Sequence, residues 1–376
     1  MTGTPARPLA VVLAGGGTGG HIEPMLALAD ALTRRAGSDG GISITCLGTA
    51  RGMETRLVPA RGYELRLIPP VPLPRRLTAD LLRVPGRLRR AVGETRALLT
   101  ALGAAVVVGF GGYVALPAYL AARRGRGWAG IPIVVHEQNA LPGLANRIGA
   151  RVAARVGVTM PGTRLPKAEH VGMPLRRSLT SLDRAGLRAE GRAACGLDAD
   201  RPTLLVVGGS QGAASLNRAV IGAADALTGA GVQVLLARGP KNTDVVVPER
   251  PAGQAPFVVV DYLERMDLAS AAADLVLCRS GAVTVAELSA VGLPAAFVPL
   301  PIGNGEQRRN AQPVVDAGGG LMVEDADLDP AWISAHLVPL LTDPSALAGY
   351  ARHAAAAGVP DADDRLATMV LEAAAR

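Results

Sequence analysis

The sequence predicts an α/β protein built from two doubly wound, Rossmann-like parallel-sheet domains that face each other across a cleft. Its 376 residues suit two domains of common size better than one core. A strand-like run at 9–13 enters a glycine turn and a periodic helix at 22–35, and the same order recurs at 203–207 and 213–227. The composition is 49% hydrophobic but only 3% aromatic, which is typical of buried parallel sheets made of Val, Leu, Ile and Ala.

Further apolar runs continue this pattern in each half. They predict strands at 42–47, 106–108 and 131–135 in the first half and at 232–236, 257–260, 275–278 and 295–299 in the second. A short strand that ends in turn residues at 172–174 marks the boundary, so we assign 1–175 to the first domain and 176–358 to the second. A final helix over about 359–376, with Asp361 as its N-cap, can pack on either domain, including back on the first. Because ligands of open α/β sheets bind at the carboxyl ends of strands, we expect the glycine loops of both domains in one cleft.

Charge and cysteine content narrow the class of protein. A net charge of +7 favours polyanionic partners such as phosphates or acidic lipid, and the shortage of aromatic side chains disfavours nucleic acid. Cys46, Cys195 and Cys278 form no CxxC pair, which predicts a reducing cytoplasm and no structural zinc.

The apolar stretch at 9–14 is too short for a signal-peptide core, so export is not expected. The uncharged run 97–122 could span a bilayer by length, but its glycines and valines favour a buried strand.

The first glycine loop, residues 15–21, follows a strand and opens a helix. Its amides and the helix dipole form an anion site, which favours phosphate binding. Gly15, Gly17 and Gly20 also fit the GxGxxG pattern, so an NAD fingerprint and a plain tight turn stay open. The second predicted strand ends without the acidic residue that binds the ribose of NAD, which weakens the dinucleotide interpretation.

His21, at the end of this loop, is the candidate general base. An imidazole at a helix N-terminus is biased toward its neutral form, which suits removal of a proton from an acceptor hydroxyl. The alternative is that His21 only orders the loop, and Glu137 and His136 are rival bases.

Later segments add candidate binding groups. Glycine turns at 109–113 and 208–212 each follow a strand, and three such turns in one chain indicate more than one bound phosphate, although close helix packing explains single glycines equally well. The segment 278–287 offers amides to a pyrophosphate, and its Glu287 could accept hydrogen bonds from two ribose hydroxyls unless it is simply exposed. Side-chain amides in the loop 303–310 suit sugar hydroxyls.

The stretch 73–92 is the candidate membrane-binding segment. Its basic residues are interleaved with leucines, as in a surface that rests on anionic lipid. The alternative is an ordinary solvated helix that packs through its leucines. The residues assigned to membrane contact are Arg75, Arg76, Leu77, Leu81, Arg83 and Arg87.

Six motifs in order resemble the MurG family of peptidoglycan transferases: GGTGGH at 16–21, GFGGY at 109–113, HEQN at 136–139, GGSQGA at 208–213, RSGAVTVAE at 279–287 and EQRRNA at 306–311. The resemblance runs almost from end to end. It implies two Rossmann-like domains in the GT-B arrangement. It also implies inverting transfer of N-acetylglucosamine from UDP to undecaprenyl-pyrophosphoryl-muramoyl-pentapeptide, the step from lipid I to lipid II, at the cytoplasmic face of the membrane. Cell-wall synthesis and division proteins are the implied partners.

The same resemblance implies roles for individual residues. In the first domain, Thr18, Gly19 and Gly20 approach the donor sugar, Asn139 holds a sugar hydroxyl, and the acceptor pyrophosphate loops comprise Gly16, Gly17, Gly111, Gly112 and Tyr113. Arg176, at the start of the second domain, meets the pyrophosphate. In the second domain, Gln307 holds the sugar, Ser210 meets the pyrophosphate, Leu263 faces uracil, Glu287 binds the ribose, and the nucleotide is lined by Ala282, Val283, Thr284, Val285 and Ala286. The family motif GNP reads Gly172-Met173-Pro174 here, which removes a polar side chain at position 173.

No metal or other cofactor is expected. Three Asp-x-Asp pairs, at 198/200, 325/327 and 361/363, lie in loops or helix starts where capping explains them better than metal binding. Helix dipoles and Arg176 can stabilise the leaving UDP. The competing functions are a GT-B transferase or UDP-sugar epimerase with a soluble substrate, an NAD-dependent oxidoreductase, and a membrane-surface module without catalysis.

Overall fold

The computed structural model describes residues 8–37, 41–71, 83–243 and 253–375. The chain divides into two compact units: Met1–Arg177 with Pro360–Arg376, and Ser178–Val359. Each unit contains one sheet whose strands are all parallel.

The first unit carries a seven-stranded sheet in the order β3-β2-β1-β4-β5-β6-β7. Its strands are β1 Leu9–Ala14, β2 Ile42–Gly48, β3 Glu64–Leu67, β4 Val106–Gly109, β5 Ile133–Glu137, β6 Arg155–Val158 and β7 Ala168–His170. Its helices are α1 Gly19–Ala36, α2 Glu54–Ala60, α3 Val84–Leu102, α4 Gly112–Ala122, α5 Leu144–Ala150 and α15 Ala362–Ala374, and the short α6 Arg177–Thr180 follows β7 at the start of the second unit.

The second unit carries a six-stranded sheet in the order β10-β9-β8-β11-β12-β13. Its strands are β8 Thr203–Val207, β9 Gln233–Ala237, β10 Phe257–Val260, β11 Leu275–Cys278, β12 Ala295–Phe297 and β13 Gly320–Met322. Its helices are α7 Arg184–Ala194, α8 Ala214–Gly222, α9 Ala224–Gly229, α10 Met266–Ala272, α11 Ala282–Ala290, α12 Glu306–Asp316, α13 Pro330–Thr342 and α14 Pro344–Ala357.

Strand order reverses between β1 and β4 in the first sheet and between β8 and β11 in the second. These are the topological switch points, where open parallel sheets bind ligands at the carboxyl ends of their strands. The register places Ala14 opposite Gly109 at the first switch point and Val207 opposite Cys278 at the second. The loops that begin at these four residues therefore start side by side within each unit.

Successive residues of β1 enter the two cores that cover opposite faces of the first sheet. Val11 and Leu13 pack with α1 and α15, whereas Val12 and Ala14 pack with the helices on the other face. The final helix α15 thus belongs to the core of the first unit. Ion pairs fasten it there: Arg34 lies 2.6 Å from Asp363, and Arg155 lies 2.6 Å from Glu372.

The structure differs from the sequence-based expectations at two helices. The predicted helix at 213–227 is divided into α8, which ends at Gly222, and α9, which begins at Ala224. A Cβ atom at position 222 would lie only 2.5 Å from Cγ of Pro330, so this close approach to α13 requires glycine. Asp361 does occupy the N-cap position of α15, but its carboxylate accepts a hydrogen bond from Arg365 at 3.0 Å rather than from a helix amide.

The uncharged run 97–122 forms the end of α3, the strand β4 and the helix α4, so the predicted buried strand is confirmed. No helix within the described parts of the chain combines the length and apolar character needed to cross a bilayer.

Candidate functional site

The first switch point brings two glycine loops into contact. Gly111 and Gly112 have φ angles of 88° and 75°, and Gly17 has a φ of 88°, a left-handed region that favours glycine. A Cβ atom on Gly112 would lie 2.8 Å from the carbonyl oxygen of Gly16. Only glycine therefore allows the loop after β4 to approach the loop after β1 this closely.

His21 lies in the first turn of α1, beside both loops. Its Nδ1 is 2.8 Å from the hydroxyl oxygen of Thr18, the N-cap residue, and the space beside its Nε2 is kept open by Gly111, whose Cβ position lies 3.2 Å away. Burial lowers the pKa of His21 below its usual 6.5. The ring is therefore mostly neutral at pH 7. When Thr18 accepts the Nδ1 proton, Nε2 carries the lone pair that a general base requires.

The rival bases lie deeper in the fold. His136 is fully buried, its Nε2 lies 2.9 Å from the carbonyl oxygen of Gly172, and burial lowers its pKa to about 4. Glu137 is 2% exposed, and its carboxylate accepts hydrogen bonds from the amides of Asn139 and Gly143 and from the side chain of Asn146, each at 3.0 Å. The hydrogen bonds of Glu137 hold the loop after β5 in place. Because both rivals are buried, His21 is the better placed candidate for the general base.

Other predicted residues of the first unit have distinct surroundings. Tyr113 is 47% exposed at the start of α4, and Asn139 is partly exposed. The guanidinium of Arg176 forms an ion pair with Glu23 of α1, with Nε 3.0 Å from Oε2. Met173 is buried, so position 173 presents no polar side chain to a ligand.

Glu54 is a residue of this region that was not predicted from the sequence. Its buried carboxylate accepts a hydrogen bond from the amide of Gly17, an amide that we had assigned to a ligand pyrophosphate, and two more from Thr49. Its one local signal is its position just after the glycine-containing turn from Gly48 to Gly52, at the start of α2, and this position gives no indication of the bond to Gly17.

Only part of the predicted membrane segment is described. Arg75, Arg76, Leu77 and Leu81 lie outside the described residues. Arg83 is exposed at the start of α3, and Arg87 is half-buried. Helix α3 buries one stripe, formed by Ala91, Thr95 and Leu99, and exposes Arg89 and Arg90. That pattern fits both lipid contact and an ordinary solvated helix.

The second switch point joins the loops after β8 and β11 through a polar network. Arg279 is 2.6 Å from Asp325 and donates to the hydroxyl of Ser215 at 3.0 Å, and Ser215 donates to Asp325 at 2.6 Å. This network was not predicted. It fixes the start of the 279–287 segment relative to the first turn of α8.

Ser280 is fully buried before the N-terminus of α11, and its hydroxyl has no hydrogen-bond partner within the described residues. Gly281 is the N-cap of α11 and has no side chain to cap it, so no N-cap side chain competes for the first amides of this helix. Ala282, Val283, Thr284, Val285 and Ala286 form the first turns of α11, and Glu287 follows them half-buried. A buried hydroxyl and open helix amides suit a phosphate.

The remaining predicted residues of the second unit lie near its loops. Ser210 is exposed in the turn after β8, and Leu263 is half-buried just after β10. Gln307, in the first turn of α12, accepts a hydrogen bond from the amide of Leu300 at 3.0 Å through its side-chain oxygen. This bond uses the side-chain oxygen of Gln307 and does not involve its side-chain NH₂ group.

At least one aspartate of each Asp-x-Asp pair forms an ion pair with an arginine. Asp198 pairs with Arg201, Asp325 with Arg279 and Asp363 with Arg34. Among the residues that the structure describes, no three His, Cys, Asp or Glu side chains converge as a metal site requires.

Comparison with known proteins assigns each half to one family. Residues 11–158 match the glycosyltransferase family 28 N-terminal domain, and residues 203–366 match the glycosyltransferase family 28 C-terminal domain. The chain is 60% identical over 365 residues to UDP-N-acetylglucosamine–N-acetylmuramyl-(pentapeptide) pyrophosphoryl-undecaprenol N-acetylglucosamine transferase of Streptomyces coelicolor, covering 97% of this chain and 98% of the relative. It is 61% identical over 373 residues to the protein of the same name from Mycolicibacterium paratuberculosis, covering 98% and 90%.

Comparison with solved structures also identifies the fold as that of a glycosyltransferase. The crystal structure of Acinetobacter baumannii MurG superposes with a TM-score of 0.78 at 29% identity and covers 97% of this chain and 100% of that one. CalG4, the calicheamicin glycosyltransferase, shares the fold with a TM-score of 0.64 at 20% identity, covering 98% of this chain and 99% of that one. The predicted GT-B class of two parallel-sheet domains and the MurG resemblance are both confirmed. The chain therefore belongs to glycosyltransferase family 28.

Proposed function

We propose that this transferase moves N-acetylglucosamine from UDP-N-acetylglucosamine to undecaprenyl-pyrophosphoryl-N-acetylmuramyl-pentapeptide, converting lipid I to lipid II in peptidoglycan synthesis. The observation that carries the proposal is 60% identity, over 97% of the chain, to a transferase named for this donor and acceptor. The same proposal assigns the protein to the cytoplasmic face of the membrane as a peripheral protein, with cell-wall synthesis and division proteins as partners. No cofactor is part of it.

The second unit supplies the donor site in this proposal. The buried hydroxyl of Ser280, the open amides at the start of α11 and the exposed Ser210 suit the UDP pyrophosphate. Glu287 accepts hydrogen bonds from the ribose hydroxyls, and the backbone at Leu263 meets uracil. Gln307 binds the sugar hydroxyls.

The first unit supplies the acceptor groups and the base. Neutral His21 removes the proton from the acceptor hydroxyl while the oxygen of that hydroxyl bonds to the anomeric carbon of the donor sugar. The bond from that carbon to the pyrophosphate breaks, UDP leaves with the electron pair, and the α linkage inverts to β. Thr18, Gly19 and Gly20 approach the donor sugar, and the turn at Gly111 and Gly112 approaches the acceptor.

Membrane contact in this proposal comes from the basic start of α3 and the segment before it. Arg83 and Arg87 are its described members, and each basic residue near anionic lipid contributes about 1 kcal/mol. The lipid-linked acceptor would then reach the protein from the surface to which α3 is bound.

The test is transfer of labelled N-acetylglucosamine from its UDP donor to the prenyl-linked acceptor by the purified chain. We expect the wild-type chain to transfer the sugar to the prenyl-linked acceptor and to react much more slowly with an acceptor that lacks the prenyl pyrophosphate. Absence of transfer by the wild-type chain refutes the proposal, and equal rates with both acceptors support a transferase with a soluble acceptor.

A binding measurement tests the donor site separately. Glu287→Ala should weaken UDP-N-acetylglucosamine binding at least ~10-fold, because a hydrogen bond to a charged group contributes about 1.5–3 kcal/mol. The matched control is Glu190→Ala on α7, where the side chain is exposed and outside the proposed site. Unchanged affinity in Glu287→Ala refutes the ribose assignment.

A further inference from the structure

Beneath the first glycine loop lies a carboxylate with no part in the reaction as proposed so far. Glu54 is the first residue of α2, and its side chain is 0% exposed. Its Oε2 accepts a hydrogen bond from the amide of Gly17 at 3.1 Å. Its Oε1 accepts from the amide of Thr49 at 2.8 Å and from the hydroxyl of Thr49 at 3.0 Å. One side chain thus joins the loop after β1 to the turn after β2.

The space around this carboxylate is made by glycines. A Cβ atom on Gly16 would lie 2.8 Å from Oε1 of Glu54, and one on Gly48 would lie 2.5 Å from its Cγ. A Cβ atom on Gly52 would overlap the carboxylate itself. Since Cβ atoms do not approach other atoms so closely, the chain encloses Glu54 in a fitted pocket of backbone.

The three hydrogen bonds keep this carboxylate charged. Burial by itself raises the pKa of Glu54, but the hydrogen bonds from Thr49 and Gly17 outweigh burial and lower its pKa below the usual value. All three donors are backbone or hydroxyl groups rather than Lys or Arg side chains. Burying an ionised carboxylate is costly unless such donors meet it, so an apolar side chain would serve packing alone at lower cost.

The bond to Gly17 acts next to the candidate base. Gly17 precedes Thr18, whose hydroxyl contacts Nδ1 of His21 and whose carbonyl oxygen accepts a hydrogen bond from the His21 amide at 3.1 Å. The peptide bond that links Gly17 to Thr18 is planar, so a displacement at Gly17 moves Thr18 as well. The orientation of the His21 ring therefore depends on where Gly17 is held.

Resting on the function proposed above, we propose that Glu54 is a positioning residue for catalysis, whose buried carboxylate fixes Gly17 and thereby sets Thr18 and His21 in their reactive arrangement. The amide of Gly17 donates its hydrogen bond to the Glu54 carboxylate and does not bind the acceptor pyrophosphate. The acceptor pyrophosphate is therefore bound by the remaining groups of the loop and of the Gly111-Gly112 turn.

The first test is Glu54→Gln, which keeps the shape of the side chain. An amide has a single acceptor oxygen, so either Gly17 or Thr49 then faces an NH₂ group with its own N–H. We expect kcat for transfer to fall roughly 100-fold, the effect of a small misplacement of reacting groups. The affinity for free UDP should stay unchanged, because the proposed UDP site lies in the second unit. The matched control is Glu64→Gln on β3, where the carboxylate bonds Thr45 and does not touch the loop; its kcat should equal wild type.

Two further variants separate positioning from folding. Thr49→Val removes one of the three donors and leaves both amide bonds, so kcat should fall only a few-fold, between wild type and Glu54→Gln. Glu54→Ala opens a cavity of carboxylate size, and added formate should restore part of its kcat without changing the wild-type rate.

The outcomes distinguish this proposal from the function on which it rests. If wild type transfers the sugar but Glu54→Gln keeps full kcat, Glu54 is not a positioning residue. If kcat falls only in step with melting temperature and UDP binding, and formate restores nothing, the role is structural and the proposal fails. If wild type transfers no sugar, the proposed function fails first.

Discussion

Replacing His21 tests the catalytic assignment most directly. His21→Gln keeps a polar side chain beside Thr18 but has no group that can take up a proton near neutral pH. A positioned general base contributes about 10²- to 10⁴-fold to the rate, so kcat should fall by that factor. Binding of free UDP should be unchanged, because the UDP site is assigned to the second unit.

The pKa of His21 determines the direction in which kcat should change with pH. Burial lowers the pKa of His21 below 6.5, and the base works only when neutral. The wild-type kcat should therefore be flat around pH 7 and decline only as the pH falls below about 6.5. His21→Gln should lose this acidic limb along with most of its rate.

The Thr18 contact supplies a smaller, graded perturbation. Thr18→Val removes a 2.8 Å hydrogen bond that contributes about 0.5–1.5 kcal/mol, which corresponds to a roughly 2- to 10-fold loss in kcat. Thr18→Ser keeps the hydroxyl and is the matched control. The assay is initial-rate transfer with saturating donor and acceptor from pH 5 to 9. An acidic limb that survives in His21→Gln would refute the assignment and direct attention to another base.

The remaining predictions concern stability. Glu137→Gln should destabilise the first unit by about 1–3 kcal/mol, seen as a lower midpoint in urea, because a buried donor loses its acceptor; an unchanged midpoint contradicts this. Buried Arg192 of α7 forms an ion pair with Asp274 at 2.9 Å. Arg192→Met should lower the free energy of unfolding of the second unit by an amount toward the lower end of about 3–5 kcal/mol, since Arg188 still pairs with Asp274; calorimetry that shows no loss contradicts this. His136 is held neutral, with its pKa lowered to about 4, so wild type should lose up to about 3 kcal/mol of stability as the pH falls from 6.5 to 4. Urea titrations of His136→Gln should show a smaller loss over that window, and an equal loss contradicts the assignment.

The central strands could be predicted because they are buried on both faces. The central strands β8 and β11 coincide with the predicted ranges, and β1 exceeds its range by one residue. The half-buried edge strand β10 also coincides with its predicted range, because its four residues, Phe257–Val260, are all apolar. Strands β3, β6 and β13 were not predicted. Of these, β3 and β13 lie at sheet edges, where fewer side chains are buried and the apolar run that marks a strand is shorter.

The candidate site was predicted in part for a similar reason. Glycine turns are visible in sequence, because close approach and left-handed φ angles require glycine at those positions. Glu54 and the Arg279 network were missed because their partners are distant in sequence: Glu54 bonds Gly17, and Arg279 pairs with Asp325. A single chain carries no local mark of such pairs.

The sequence by itself determined the family, the two parallel sheets and the loops at their switch points, because hydrophobic periodicity and glycine placement are local properties of the chain. Only the tertiary structure decided which unit receives α15, which packs against α1 and the strands β4, β5 and β6 of the first unit. Only the tertiary structure showed that the Gly17 amide meets Glu54, and that Glu137 and His136 are buried while His21 lies beside the loops. Those outcomes depend on which distant side chains meet after folding, and hydrogen bonds and burial act through space rather than along the chain.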